Sequence, residues 1–187
     1  MHILGKGLRI IYGRLRDQGL WVTGLWVKDH ALRLLMGMSP PATSRIAPNL
    51  YVGGQHYRRG LGRMSKLGIS ASLSLRREAD DEARGVALEK HLWLPTTDDA
   101  PPTLEHLAQA SAFIGESLTE GRGVYVHCMA GVGRAATTAA AYLVSTGQTP
   151  DQAWAAIRSV RPFLRPSDAQ VAVLREYHER VTLPGAA

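Results

Sequence analysis

The chain has 187 residues, of which 45% are hydrophobic and 20% charged, which suits one compact domain and excludes a globally disordered chain. Its single cysteine excludes an intramolecular disulfide framework and a multi-cysteine zinc centre, and leaves a thiol suited to a reducing cytosol. A formal net charge of +6 favours anionic partners, with no nucleic-acid-binding motif to single out that class.

Residues 1–39 read as a basic, amphipathic helical arm. Leu4, Leu8, Ile11 and Leu15 recur at helical spacing among Lys6, Arg9, Arg14 and Arg16, and the next stretch carries Trp21 and Trp26. These charges interrupt any secretory leader, and the uncharged run over residues 18–27 is far short of the ~18 to 20 apolar residues of a spanning helix. A cytoplasmic location is therefore expected. The arm has two readings: peripheral contact with an anionic membrane, or a helix pair packed on the remainder of the chain. Residues 38–44, MSPPATS, read as a linker.

From residue 45 to 182 short apolar runs alternate with helical stretches. NLYVGG, Ile69 to Leu75, HLWLP and GVYVHC read as strands, and the period-two pattern of Ile69 to Leu75 predicts a half-buried one. Helical segments are expected near Arg58 to Lys66, Glu78 to Leu88 and Leu104 to Leu118. Such alternation predicts an α/β sandwich, with a mostly parallel central sheet of about four to five strands flanked by helices. Two capping boxes, Thr149 to Gln152 and Ser167 to Gln170, open the last two helices, which end near Arg161-Pro162 and Leu183-Pro184.

The cysteine lies between a strand and a helix, in Cys128-Met129-Ala130-Gly131-Val132-Gly133-Arg134. A helix N-terminus offers unpaired N–H groups and the positive end of a dipole, and the glycines let the backbone curl around an anion. The same field stabilises a thiolate, and the Arg134 fork can grip two phosphate oxygens. The plain alternative is a buried, inert cysteine.

The string HCMAGVGRA resembles the active-site loop of the cysteine-dependent protein tyrosine phosphatases: His-Cys, five residues, Arg, then Ser or Thr. RIAPNLYVGGQ, LGISASLSLRREADDE, LPTTDDAPPTLEHL and RPFLRPSDAQ follow the order of its dual-specificity branch, so that the resemblance covers about residues 45–180. It implies that family's sandwich fold and hydrolysis of phosphomonoesters with no metal or other cofactor. By this resemblance Cys128 is the nucleophile, residues 129–134 cradle the phosphate, and Asp98 is the general acid, with Asp99 as the alternative. His127 is assigned a supporting role in ordering the loop, against a plain core histidine. Gln170 corresponds to a glutamine beside the attacking water, although it also completes a capping box. Ala135 departs from the pattern, for the missing hydroxyl normally stabilises the departing thiolate; Thr137 and Thr138 are expected to face elsewhere.

The expected substrate is a phosphotyrosyl protein, with phosphoserine or phosphothreonine as further substrates, or a small phosphomonoester. Met129, Ala130 and Val132 include no lysine, unlike the loops of phosphoinositide-specific relatives. The second reading is a lipid or inositol phosphate phosphatase at the membrane surface, motivated by the basic arm. A third is a pseudophosphatase that only binds phosphorylated partners, motivated by Ala135.

Overall fold

The computed structural model describes residues 2–183, with side chains from residue 10 onward. The Leu4, Lys6, Leu8 and Arg9 side chains of the arm, and Pro184, lie outside the described residues. Helix α1 (His2–Met36) is bent at Gly19, whose φ of 77° interrupts the helical backbone. A short helix α2 (Pro41–Ser44) and the strands β1 (Arg45–Ala47) and β2 (Leu50–Gly53) come after it. Next come α3 (Leu61–Lys66), β3 (Ile69–Arg76), β4 (Lys90–Thr96), α4 (Leu104–Thr119) and β5 (Gly123–His127). The chain closes with α5 (Arg134–Ser145), α6 (Pro150–Val160) and α7 (Asp168–Thr182).

The five strands form one sheet in the order β1-β2-β5-β3-β4, with β1 antiparallel to β2 and all other pairings parallel. The mostly parallel α/β sandwich expected from the sequence is therefore present. Strand β5 lies between β2 and β3 and is buried along its whole length, so its C-terminal end delivers Cys128 to the middle of the sheet edge. That is where parallel sheets collect their ligands. Ala135, Ala136, Ala139, Ala140 and Ala141 of α5 are fully buried. Their small side chains let α5 run against the sheet and the helices α4, α6 and α7.

Three local expectations are corrected. Residues Ile69 to Leu75 are not half-buried: β3 is covered on both faces, and its serines carry hydrogen bonds instead of facing water. Ser72 Oγ lies 2.8 Å from His91 Nδ1, and Ser74 Oγ accepts from the Arg76 amide at 3.4 Å. The segment Glu78 to Leu88 forms turns, not a helix. There Asp80 Oδ1 accepts from the amides of Glu82 and Ala83, the Asp81 carbonyl accepts from those of Val86 and Ala87, and Gly85 has φ 62°. Residues 38–44 are no loose linker, since Met38, Ser39 and Ser44 are buried.

The arm packs with its polar side inward. Arg14, Asp29 and Arg33 are buried, whereas Leu20, Trp21 and Leu35 are at least three-quarters exposed. Arg14 and Gln18 donate to the carbonyls of Phe163 and Leu164 at 3.1 and 2.9 Å, and Arg33 donates to that of Gln55 at 2.9 Å. Just past α1, Gly37 has φ 81° and its carbonyl accepts from the Tyr57 amide at 2.8 Å. A side chain on the facing Gly60 would overlap the Gly37 backbone. Gly60→Ala is therefore expected to cost about 1–3 kcal/mol in urea denaturation. An unchanged midpoint would remove this contact from the account of how the arm is held.

Candidate active site

A planar trans peptide points its N–H and C=O in opposite directions, so a loop that aims amides at an anion must send carbonyls outward. Each outward carbonyl here has a donor. The Met129 carbonyl accepts from the Gln55 amide at 3.2 Å, and that of Val132 from the Arg165 amide at 2.9 Å. Arg161 donates to the Gly131 carbonyl at 3.2 Å and to the Ala130 carbonyl at 3.4 Å. The Gly133 carbonyl accepts from the Thr137 amide at 2.9 Å, as α5 begins. The amides of residues 130–133 are thereby turned toward the inside of the curl, where Gly131 N donates to Cys128 Sγ at 3.3 Å.

Space requires glycine at position 131, and at 133 a side chain would press on Gln170. Gly131 has φ 68°, and a Cβ there would press into the backbone of Gly53 and Gly54. A Cβ on Gly133 would lie 2.7 Å from Gln170 Oε1.

Arg134 is 1% exposed and held on several sides. Its Nη1 donates to the Thr96 carbonyl at 2.8 Å and to the Leu75 carbonyl at 3.2 Å. Glu78 meets the fork with both oxygens at 3.1 Å, and Asp98 Oδ1 lies 2.6 Å from Nη2. Burial opposes the Arg134 charge, yet the bonds to Glu78 and the proximity of Cys128 and Asp98 raise its pKa above the ordinary value. Against the effect of burial, hydrogen bonds from Arg134, its own backbone amide and Arg76 hold the Glu78 carboxyl down at about 2. Arg134 Nε has no partner among the described residues, so an oxyanion can take it, together with Nη2 once Asp98 moves aside.

Asp98 and Asp99 both border the cavity above Cys128, but only Asp98 reaches Arg134. Asp99 adopts φ 60°, and its carbonyl accepts from Ser167 Oγ at 3.0 Å. Gln170 combines two contacts: Oε1 accepts from the Ser167 amide within the capping box, and Nε2 donates to the Ala100 carbonyl, both at 3.0 Å. It thus ties the Asp98 loop to the cap of α7 beside Gly133. Ala135 is buried, and the hydroxyls of Thr137 and Thr138 donate to backbone carbonyls one turn earlier in α5.

Behind the nucleophile lies a closed polar group. His127 Nε2 is 2.7 Å from Asp81 Oδ2, both fully buried, and the His56 ring packs edge-on against His127 at 4.8 Å. Donor atoms of His56, Asp81 and His127 lie within 4.8 Å of one another. His56 Nε2 is engaged by the Val86 carbonyl at 2.6 Å and Asp81 Oδ1 by Gln55 at 3.0 Å, while His56 Nδ1 and His127 Nδ1 have no hydrogen-bond partner among the described residues. Although burial works to raise it, the Asp81 carboxyl is held well below the usual carboxylate range by its contacts with His127 and Gln55. Burial, then the neighbouring His127, pushes His56 down to about 4.

Sequence reasoning misses Glu78, Arg161 and Gln55. Glu78 lies in a segment whose composition reads as helix, and Arg161 reads only as a helix end. The legible clue is indirect: a loop of inward amides needs outward donors.

Residues 50–180 match the family described as "Dual specificity phosphatase, catalytic domain". Dual specificity protein phosphatase 12 of Mus musculus is 37% identical over 144 residues, covering 72% of this chain and 42% of that protein. Phosphatidylglycerophosphatase and protein-tyrosine phosphatase 1 of Homo sapiens is 38% identical over 82 residues, 43% of this chain and 41% of that protein. The chain thus spans less than half the length of these curated relatives. Among solved structures, PTPMT1 in complex with PI(5)P superposes with a TM-score of 0.68 at 26% identity, over 73% of this chain and 94% of that one. The active form of Tk-PTP gives 0.67 at 27% identity, over 75% and 98%.

The buried polar group sets a pH dependence of stability. His56 has a folded pKa below its unfolded value, so its contribution is complete above the ordinary histidine range and drains away as pH falls toward 4. Asp81 extends the loss to lower pH, because only the folded state keeps its carboxylate ionised there. Urea denaturation between pH 7.5 and 4.5 should show a loss of about 3 kcal/mol, flattened in His56→Gln. A pH-independent midpoint would contradict the assignment of a neutral buried His56.

Proposed function

Because the chain belongs to the dual-specificity phosphatase family, we propose that it hydrolyses phosphomonoesters through a cysteinyl-phosphate at Cys128, and that its substrate is a phosphorylated lipid headgroup. The loop geometry carries the chemistry. Sγ of Cys128 attacks phosphorus in line, and the bond to the leaving oxygen breaks as Asp98 delivers its proton. The inward amides of residues 130–133 and Arg134 hold the equatorial oxygens as charge develops. Asp98 sits on Arg134 at the position a phosphate oxygen would claim, so substrate entry itself frees the acid to meet the leaving group. Water then attacks phosphorus, Asp98 takes its proton, and the thiolate departs; Gln170 borders the same cavity beside Gly133, and orienting that water is the role the family resemblance suggests for it.

The lipid reading rests on one observation: α1 turns Arg14 and Trp26 toward the cavity of Cys128 while Leu20, Trp21 and Leu35 face outward. An outward apolar face beside Lys28 suits peripheral contact with an anionic bilayer. Among the described residues no helix is long and apolar enough to cross one. The relatives with phosphatidylglycerophosphatase names support the same class. A phosphotyrosyl protein, the first expectation from the sequence, is the alternative that the same assay scores.

Wild-type protein should release phosphate from dioctanoyl phosphatidylglycerol phosphate with a higher kcat/KM than from phosphotyrosyl peptides. Cys128→Ser should abolish release from both, and Asp98→Asn should lower kcat about 100-fold. Peptide preference would overturn the substrate class; activity surviving in Cys128→Ser would overturn the mechanism.

Ala135 leaves the departing thiolate without a neighbouring hydroxyl, so breakdown of the phosphoenzyme should limit turnover. Rapid-quench measurement should show a burst of the leaving alcohol, and Ala135→Ser should raise the steady-state rate several-fold, about 1 kcal/mol of barrier. An unchanged rate would sink the idea.

A further inference from the structure

The cavity contains a second cationic centre that the chemistry at Cys128 does not use. Arg14 of α1 is only 4% exposed and borders the same space as Cys128 and Arg134. Its Nη1 donates to two neutral oxygens, Gln18 Oε1 at 2.7 Å and the Phe163 carbonyl at 3.1 Å, and its guanidinium lies 4.5 Å from the centre of the Trp26 ring. No carboxylate is within ion-pair distance of it among the described residues. Its charged neighbour is another cation: burial, then Arg165, lowers the Arg14 pKa to about 10.

Arg165 borders the cavity too, anchored through its amide on the Val132 carbonyl and through one guanidinium nitrogen on Asp17 at 2.5 Å. The carboxylates bordering this space are Asp98, which Arg134 holds, and Asp99. A buried guanidinium beside a second one, with no counter-ion of its own, is costly unless an anion arrives. The volume, about 530 Å³, matches a whole small ligand rather than one phosphoryl group.

We propose that Arg14 and Arg165 form a second anion subsite, which takes the phosphodiester of a lipid headgroup whose terminal monoester occupies the loop of Cys128. The arm then selects substrate as well as packing on the domain. This inference rests on the hydrolase reading above and narrows its substrate to a molecule with two phosphorus centres. A headgroup is favoured over an acidic phosphopeptide because the helix that supplies Arg14 inward presents Leu20 and Trp21 outward, 80% and 77% exposed.

The test compares kcat/KM of the full chain on three substrates: dioctanoyl phosphatidylglycerol phosphate, with both groups; p-nitrophenyl phosphate, with the monoester alone; and a phosphotyrosyl peptide flanked by glutamates. Arg14→Gln should lower the lipid to p-nitrophenyl phosphate ratio at least about tenfold, mainly through KM, with Arg14→Lys retaining part of it. Arg165→Gln should lower the ratio less, and provides the readout if Arg14→Gln does not fold. A ratio unchanged within about twofold in the folded variants would overturn the subsite. A larger loss on the acidic peptide than on the lipid would overturn the headgroup assignment. Wild-type preference for the peptide would instead count against the substrate class itself, which the ratios in the variants do not measure.

Discussion

The peptide plane is the constraint around which the molecule is arranged. Amides cannot be turned inward on an oxyanion without turning carbonyls outward, and buried carbonyls need donors. Four come from outside the curl's own turn: the Gln55 amide after β2, the Arg165 amide after α6, and two contacts from the Arg161 guanidinium. The loop is a catalytic element only because two separated stretches of chain, after β2 and after α6, close around its back.

Arg161 shows how far this reaches. It is fully buried, and beyond the loop it donates to the Thr43 carbonyl and stands 3.6 Å from Asp29 of α1. Burial lowers its pKa, while Asp29 favours its charged form. Asp29 in turn accepts from Ser39 and Thr43. The arm is therefore continuous with the support of the phosphate loop, and its buried face is polar because the groups it must satisfy are polar.

A similar logic separates the two carboxylates on Arg134. Glu78 meets both nitrogens of the fork and orients it, whereas Asp98 touches one nitrogen and its side chain is 71% exposed. One partner is fixed and the other can leave, which is what a group that must hold a guanidinium and a group that must move a proton respectively require. Ser167 and Gln170 brace the Asp98 loop from the α7 side through the carbonyls of Asp99 and Ala100, so the cap of α7 also supports the loop that carries the acid.

Much of this is legible without coordinates wherever the information is local. Strand β5, the Cys128 to Arg134 spacing, the alternation of strand and helix and both capping boxes depend on neighbours in the chain, and each appears in the structure. Periodicity fails where side chains from elsewhere intervene. Residues 78–88 carry enough helix formers to read as a helix, but Asp81 is taken by His127 and Glu78 by Arg134. The serines of β3 mimic a solvent face because hydrogen bonds in a covered sheet substitute for water. The amphipathic pattern of α1 indicates a helix with two faces; which face turns inward depends on the carbonyls, the Asp29 to Arg161 pair and the cavity it meets. The sequence by itself determined the reactive loop and the elements on either side, since a thiol, two glycines and an arginine at that spacing act through local backbone geometry. Tertiary structure alone decided the residues that satisfy the back of that loop and the cations that share its cavity, because a buried carbonyl or charge is met by whatever donor or counter-ion folding brings beside it, at any distance along the chain.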